Sequence, residues 1–183
     1  MKKMKHKKII LISILIAIGT DFLYAESMQG PDLGHAITPE EIAKWDISVF
    51  PDGEGLPKGE GNVAQGEKIY QQKCIACHGE NGLGASADQL AGAQMSLDSE
   101  YPEQTIGSYW PYATTVFDVV RRSMPMTAPG SLSNDEVYAV TAYLLYLNHL
   151  IGKDDVMNAS ALLQVVMPNV DGFINIYEEE QSK

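Results

Sequence analysis

Two cysteines and a histidine lie together in one short stretch of this 183-residue chain. Cys74 and Cys77 are its only cysteines, and His78 directly follows the second one. Three kinds of chemistry use this spacing: a dithiol redox pair, half of a zinc site, and covalent attachment of a c-type haem. Other parts of the sequence discriminate among the three.

The dithiol and zinc interpretations each lack something that they require. A redox pair of this spacing usually opens a helix after a strand, and no strand–helix alternation surrounds residues 74–77. A structural zinc ion needs four ligands. Beyond residue 25 the chain adds only His35, His78 and His149, and His78 is too close to Cys77 for a comfortable structural site.

Covalent haem attachment accounts for all three residues. The thiols of Cys74 and Cys77 would form thioether bonds with the two vinyl groups of a haem, whose separation matches this spacing on one helical turn. His78 would then present its imidazole to one axial face of the iron. The sequence therefore predicts one covalently bound haem c.

A methionine between two predicted helices provides a sixth ligand. Met124 is followed by Pro125, which stiffens the segment and removes a competing backbone donor. Met126 is the alternative ligand. A thioether ligand raises the reduction potential and closes the second axial face, which suits a carrier of single electrons. Three other methionines are interpreted as core residues: Met95, Met157 and Met167.

The first 25 residues predict export. Five lysines precede an apolar run over residues 9–18, and Ala25 is a small residue at the expected cleavage point. The run is about ten residues long, half of the roughly 20 that span a bilayer. We therefore expect a cleaved signal peptide, a periplasmic location and no membrane attachment after cleavage.

The mature chain is expected to be strongly acidic. The whole chain has 13 basic and 24 acidic residues, a net charge of −11; the leader holds five of the basic residues and one acidic residue, which leaves 8 against 23, a net charge of −15. Nucleic acid and anionic membranes are poor partners for such a surface. Two interpretations of the acidity remain open: it attracts a basic protein partner, because complementary charge accelerates encounter, or it only keeps an exported protein in solution.

Capping signals predict where helices begin. Thr38 and Glu41 mark a short helix that continues to about Trp45, and Asn62 caps a helix that leads to Cys74. A third helix is predicted over residues 114–122. The fourth begins after Ser133, and its apolar residues repeat at three- and four-residue spacing: Val137, Val140, Leu144 and Leu147.

These patterns predict an all-α chain with long loops. We expect a signal peptide over residues 1–25, an N-terminal extension and linker over 26–61, a haem domain over 62–150 and a C-terminal extension over 151–183. The linker is indicated by four glycines and a proline in the ten residues before Asn62.

Two features near the third helix have two interpretations each. The aromatic segment Tyr109-Trp110-Pro111-Tyr112 either lies against the haem or a docking surface, or belongs to the ordinary core. Arg121 and Arg122 either pair with haem propionates or form a solvated helix end.

The chain resembles the single-haem class I cytochromes c, and more narrowly the cytochrome subunits of bacterial sulfite and sulfane-sulfur dehydrogenases, the SoxD/SorB-like group. The cysteine–histidine motif and the later methionine point to the class, while "TIGSYWPYATTVFD" (105–118) and "LSNDEVYAVTAYLLYLN" (132–148) point to the narrower group. The resemblance implies a class I cytochrome c fold with N- and C-terminal extensions. It assigns haem attachment to Cys74 and Cys77 and axial ligation to His78 and Met124.

The resemblance also implies a partner. In that group a molybdenum-cofactor subunit oxidises a sulfur compound, and the electrons leave to another cytochrome or a terminal oxidase. Sulfite oxidation releases two electrons whereas one haem stores one, and a molybdenum centre of that type needs a protein thiolate that this chain does not have to spare. Two alternatives remain: a freely diffusing cytochrome, and a haem enzyme or sensor with an open axial site.

Overall fold

The computed structural model describes residues 33–92 and 97–174, so the leader, Met95 and the last nine residues of the predicted C-terminal extension lie outside the described residues. The described helices and strands are α1 (Pro39–Trp45), β1 (Glu60–Asn62), α2 (Val63–Lys73), α3 (Ile75–His78), α4 (Ala113–Ser123), α5 (Asn134–Leu147), β2 (Val156–Asn158) and α6 (Ala159–Leu162), with a 3-10 turn at Glu80–Gly82. Among the described residues, those up to Ile42 and those from Ala43 onward form separate units.

The three predicted N-caps are confirmed. The Thr38 and Glu41 side chains and amides bond reciprocally at the start of α1, and Asn62 does the same with Gln65 at the start of α2. Ser133 forms the third capping box, at the start of α5. In each box, side-chain oxygens accept hydrogen bonds from backbone amides that have no acceptor within the helix, which is why these positions fix the helix starts.

α5 runs through the centre of the core. Every residue from Val137 to Leu145 is buried, so the helix is covered on all sides and not only along its apolar stripe. Two aromatic pairs hold its neighbours against it: Tyr70 of α2 packs on Tyr143, and Phe117 of α4 packs on Tyr138, with ring centroids 5.3 and 4.5 Å apart.

A two-stranded antiparallel pair joins the start of α2 to the C-terminal part of the chain. β1 pairs with β2, with Gly61 opposite Met157. The all-α prediction is otherwise confirmed, and this pair is the only sheet within the part of the chain that the structure describes. Met157 and Met167 are 5% and 1% exposed, which confirms their prediction as core residues.

Side chains of α4 hold the loop of residues 46–59. Asp118 accepts a 2.8 Å hydrogen bond from the buried Val49 amide, and Arg121 donates to the Ile47 carbonyl at 2.9 Å. Arg122 forms an ion pair with Asp118. Both guanidinium groups are thus engaged by the protein and neither lines the cavity described below, so their interpretation as propionate ligands is not supported.

None of the helices in the described ranges combines the length and apolar character that membrane crossing requires.

Candidate haem site

One cavity of about 250 Å³ brings the predicted site residues together. Cys74, Cys77, His78, Met124 and Met126 all line it. Aliphatic side chains from α4, α5 and the intervening segments form much of the remaining wall: Leu90, Ile106, Val116, Val119, Val120, Val140 and Leu144. A ligand of this cavity would therefore be largely apolar and held by sulfur and nitrogen.

The cysteine–histidine motif sits where α2 passes into α3. The Cys74 amide donates to the Tyr70 carbonyl at 2.9 Å, and the Cys74 carbonyl accepts from the amides of Cys77 and His78 at 3.1 and 3.0 Å. These bonds wind the motif into a tight turn. The two thiols and the imidazole consequently reach the same cavity.

The His78 ring is oriented by a backbone carbonyl. Its Nδ1 lies 3.0 Å from the Asp88 oxygen, which can only accept a hydrogen bond, so Nδ1 carries a proton. In the neutral ring the lone pair is then on Nε2. A metal-binding histidine usually has such an outer partner for its second nitrogen.

The loop after His78 is folded back by further bonds. The His78 carbonyl accepts from the Gly84 amide at 2.8 Å, and a Cβ at Gly79, where φ is 73°, would lie 2.3 Å from the Gly84 carbonyl oxygen. Burial raises the pKa of Tyr70 to about 12. Its hydroxyl therefore stays protonated and donates to the Gly79 carbonyl at 2.9 Å.

Met124 and Met126 differ in exposure. Met124 is the C-cap residue of α4, its amide donates to the Val120 carbonyl at 3.2 Å, and it is half-buried. Met126 is 77% exposed. The backbone of Met124 is therefore held by the helix, while the side chain of Met126 lies mostly in solvent.

The geometry disfavours the two competing chemistries. Burial raises the pKa of Cys74 to about 11, whereas a dithiol oxidoreductase needs a lowered thiol pKa. Within residues 33–92 and 97–174, no three or more His, Cys, Asp or Glu side chains cluster as a metal site would require. Two thiols, an imidazole with its Nε2 free, a thioether and an aliphatic wall are instead a donor set that fits covalent haem.

The aromatic segment of residues 109–112 was expected either at the haem or a docking surface, or in the ordinary core, and its residues lie in different surroundings. Trp110 lines the cavity. Tyr109 packs edge-on against Trp110 with ring centroids 6.5 Å apart, and Tyr112 is 39% exposed. The segment therefore runs from the cavity wall to the surface.

Several cavity residues carried no recognisable sequence signal. Leu90 and Ile106 lie in the irregular stretch between α3 and α4, where no periodicity indicates which side chains face inward. The Asp88 carbonyl contributes through its backbone, so its residue type gives no indication of the role. Lys73, by contrast, lies directly before the motif and was open to prediction as a wall residue.

The fold and the site together define a c-type cytochrome. The sequence profile described as Cytochrome c matches residues 63–148. A solved chain from the sulfane dehydrogenase SoxCD of Paracoccus pantotrophus is 44% identical, with a TM-score of 0.76 over 83% of this chain and 75% of that chain. This chain belongs to the cytochrome c family, and it has the fold, the covalently bound haem c and the electron-transfer function of that family.

Curated relatives share only a part of their length with this chain. Thiosulfate dehydrogenase of Stutzerimonas stutzeri is 30% identical over 112 residues, which are 55% of this chain and 35% of that protein. Thiosulfate dehydrogenase of Allochromatium vinosum is 28% identical over 125 residues, which are 64% of this chain and 39% of that protein. The chain thus spans little more than a third of these relatives.

Proposed function

We propose that this chain is the exported, mono-haem electron-accepting subunit of a dehydrogenase whose molybdenum-containing partner oxidises sulfite or a sulfane-sulfur compound. The observation that carries the proposal is the convergence of Cys74, Cys77, His78 and Met124 on one aliphatic cavity. The 44% identity to a chain of sulfane dehydrogenase SoxCD supports the choice of partner.

Each of the four residues has a defined role in the proposal. Cys74 and Cys77 would hold the haem by thioether bonds, and His78 Nε2 and the Met124 sulfur would bind its iron. The haem, when bound, supplies an iron that stores one electron. With His78 and Met124 both bound to the iron, no open position would be left for a substrate, which argues against an enzyme or sensor acting at the iron.

The surrounding residues fix these ligands and exclude water. The Asp88 carbonyl holds the His78 tautomer that leaves Nε2 available, and the C-cap position of Met124 fixes where its side chain begins. The aliphatic wall from α4 and α5 keeps the site at low dielectric, where the protein's dipoles act strongly on charge.

The division of labour follows from electron counting. Oxidation of sulfite, with water as the source of the added oxygen, gives sulfate, two protons and two electrons, and this chain accepts those electrons one at a time. We place the sulfur chemistry in the partner and onward transfer in a second cytochrome or a terminal oxidase. The leader pattern supports a periplasmic setting.

A second candidate is direct oxidation of thiosulfate by a haem protein without molybdenum. The curated relatives that are thiosulfate dehydrogenases favour this candidate, although the chain spans only 35% of the first of them. The freely diffusing carrier is the third possibility, and it differs from the proposal in having no dedicated partner.

Anaerobic stopped-flow spectroscopy separates these candidates. The oxidised, haem-loaded chain is mixed with sulfite or with thiosulfate, either alone or with the molybdenum-containing fraction of periplasm from the same cells. We expect haem reduction only when that fraction is present, and elution of the two proteins together in gel filtration. Reduction of the isolated chain by thiosulfate would establish the second candidate. Haem reduction that needs the molybdenum-containing fraction, without co-elution of the two proteins, would establish the freely diffusing carrier.

A further inference from the structure

Four apolar side chains are exposed in one nine-residue segment near the C-terminal end of the described chain. Val166 is 79% exposed, Val170 37%, Phe173 54% and Ile174 73%. We call these four residues the C-terminal patch. Exposed apolar residues that occur singly are ordinary, but a group of them indicates a surface that binds something.

The segment that carries the patch is anchored. Met167 is 1% exposed and ties the segment into the core. The Asn169 Nδ2 donates to the Tyr109 carbonyl at 2.6 Å, and the Gly172 amide donates to the Asn169 carbonyl at 3.1 Å. The patch is therefore presented at a defined place on the surface.

Two ring contacts connect the patch to the haem cavity. Phe173 packs edge-on against Tyr109, with ring centroids 5.5 Å apart. Tyr109 packs edge-on against Trp110 at 6.5 Å, and Trp110 lines the cavity. The rate of electron tunnelling falls steeply with distance and with gaps in packing. The contacts from Phe173 through Tyr109 to Trp110 would give a donor bound at Phe173 a continuously packed route to the cavity wall.

The charge around the patch identifies the kind of partner. Asp171 is exposed within the same nine-residue segment, which contains no lysine or arginine. The whole chain carries a net charge of −11, so two copies of the chain facing each other would repel. The complementary surface has an apolar centre and a basic rim, and so belongs to a different protein.

We infer that the C-terminal patch is the docking surface for the electron-donating subunit, and that electrons enter along Phe173, Tyr109 and Trp110. This inference rests on the proposed function, because it takes the molybdenum-containing partner as the donor. In each transfer the partner's reduced centre loses one electron and this chain gains one. Two transfers therefore complete one two-electron oxidation of the sulfur compound.

The test compares Phe173→Ser with Phe50→Ser in the haem-loaded, full-length mature protein. Phe50 is a matched control, since it is the same residue type and is 52% exposed. Each immobilised variant is exposed to periplasm from the same cells, and the retained material is assayed for molybdenum and for sulfite-dependent reduction of the immobilised haem. Reduction by dithionite, which needs no docking, reports whether each variant remains intact.

We expect Phe173→Ser to lower molybdenum retention and sulfite-dependent reduction at least tenfold, with dithionite reduction and the Phe50→Ser control unchanged. Retention by the wild type should also weaken as salt is raised, because Asp171 and the net negative charge of the chain attract a basic partner. Equal retention by both variants would overturn the docking surface and leave the proposed function standing. If wild-type protein retains no molybdenum, the proposed function fails, and the docking inference fails with it. A dimer of the wild type that Phe173→Ser dissociates would assign the patch to a second copy.

Discussion

At the scale of single residues, two methionines two positions apart compete for one role. Both line the cavity, but Met124 is half-buried and directly follows α4, whereas Met126 is 77% exposed. A ligand that is already held near its binding position loses less conformational freedom when it binds. We therefore propose Met124, and not Met126, as the sixth ligand.

Replacing each methionine by alanine distinguishes the two. We expect Met124→Ala to abolish the weak far-red absorption band of an iron–thioether bond and to lower the reduction potential by on the order of 0.1 V, a part of the ~0.8 V range that axial ligands span. Met126→Ala should preserve the band and the potential. Visible spectroscopy and a redox titration of both variants check this. Loss of the band in Met126→Ala alone would reverse the assignment.

Asp118 is a second residue whose role can be isolated. Burial disfavours its charge, but hydrogen bonds from Arg122 and the Val49 amide outweigh burial and lower the pKa of the carboxyl. Its unfolded pKa is about 3.9. A lowered pKa means that Asp118 stabilises the fold fully above that pH, and that this stabilisation is lost as the pH falls through the folded value.

Asp118→Asn should therefore destabilise the haem-loaded protein in a pH-dependent way. The amide oxygen can still accept from Val49, but the ionic bond to Arg122 is lost, at a cost of about 1–3 kcal/mol at pH 7. Denaturant unfolding at pH 7 and below pH ~4 should show the difference from wild type shrinking in acid. Asp154→Asn, at an exposed position, is the control. A difference that is constant with pH would exclude the carboxylate charge as its source.

At the scale of elements, α2 and β1 each approach α5 through a glycine. A Cβ added to Gly66 would lie 1.9 Å from the Ala139 carbonyl oxygen, and one added to Gly61 would lie 2.4 Å from the Ala139 amide nitrogen. Atoms cannot approach so closely, so only glycine permits this separation of the elements. The crossing also sets where α2 delivers Cys74 to the cavity.

Gly66→Ala is therefore expected to cost about 1–3 kcal/mol of folding free energy or more, because a backbone oxygen cannot move aside as a flexible side chain would. Gly152→Ala is the matched control: its added Cβ would meet only ordinary contacts, the nearest 3.5 Å away. Denaturant midpoints of the two haem-loaded variants measure the effect. Similar midpoints for both would show that the two helices separate at little cost.

The elements that could be predicted from the sequence are those fixed by residues close together along the chain. Ser133 and Asn62 predict the starts of their helices, because a cap and its partner are three residues apart and recognisable by residue type. The β1–β2 pair was missed because each strand is three residues long and pairs Gly61 with Met157 across most of the domain. Three residues show no alternation to detect.

The same distinction applies to the site. The cysteine–histidine motif is contiguous, and Met124 stands between two marked helices, so their meeting in one cavity was predictable. Arg121 and Arg122 illustrate the opposite case. An arginine can bind a haem propionate as well as it binds a protein carboxylate or carbonyl. Only the tertiary positions of Asp118 and the Ile47 carbonyl show what these two arginines bind.

At the scale of the whole molecule, the haem cavity occupies space that a core of this size would otherwise fill. Side chains from α2, α4 and α5 all face it. At about 24 cal/mol per Å³, a 250 Å³ cavity left unfilled costs at most about 6 kcal/mol. Domains of this kind are stable by only about 5–15 kcal/mol, so the haem is expected to contribute a large share of the stability.

Haem-free protein should consequently lose its fixed packing. Residues 26–183 expressed without the leader in a cytoplasm that does not attach haem provide one such sample, and an exported Cys74→Ser/Cys77→Ser variant provides a second that has met the periplasm. We expect both to keep part of the far-ultraviolet helical signal, to lose the near-ultraviolet aromatic signal, and to unfold without a sharp transition. The haem-loaded protein should unfold cooperatively. Because the two samples differ in compartment and share only the lack of attached haem, the same loss in both assigns it to the haem. A cooperative transition in both at the midpoint of the haem-loaded protein would instead mean that α2, α4 and α5 pack stably around the cavity by themselves.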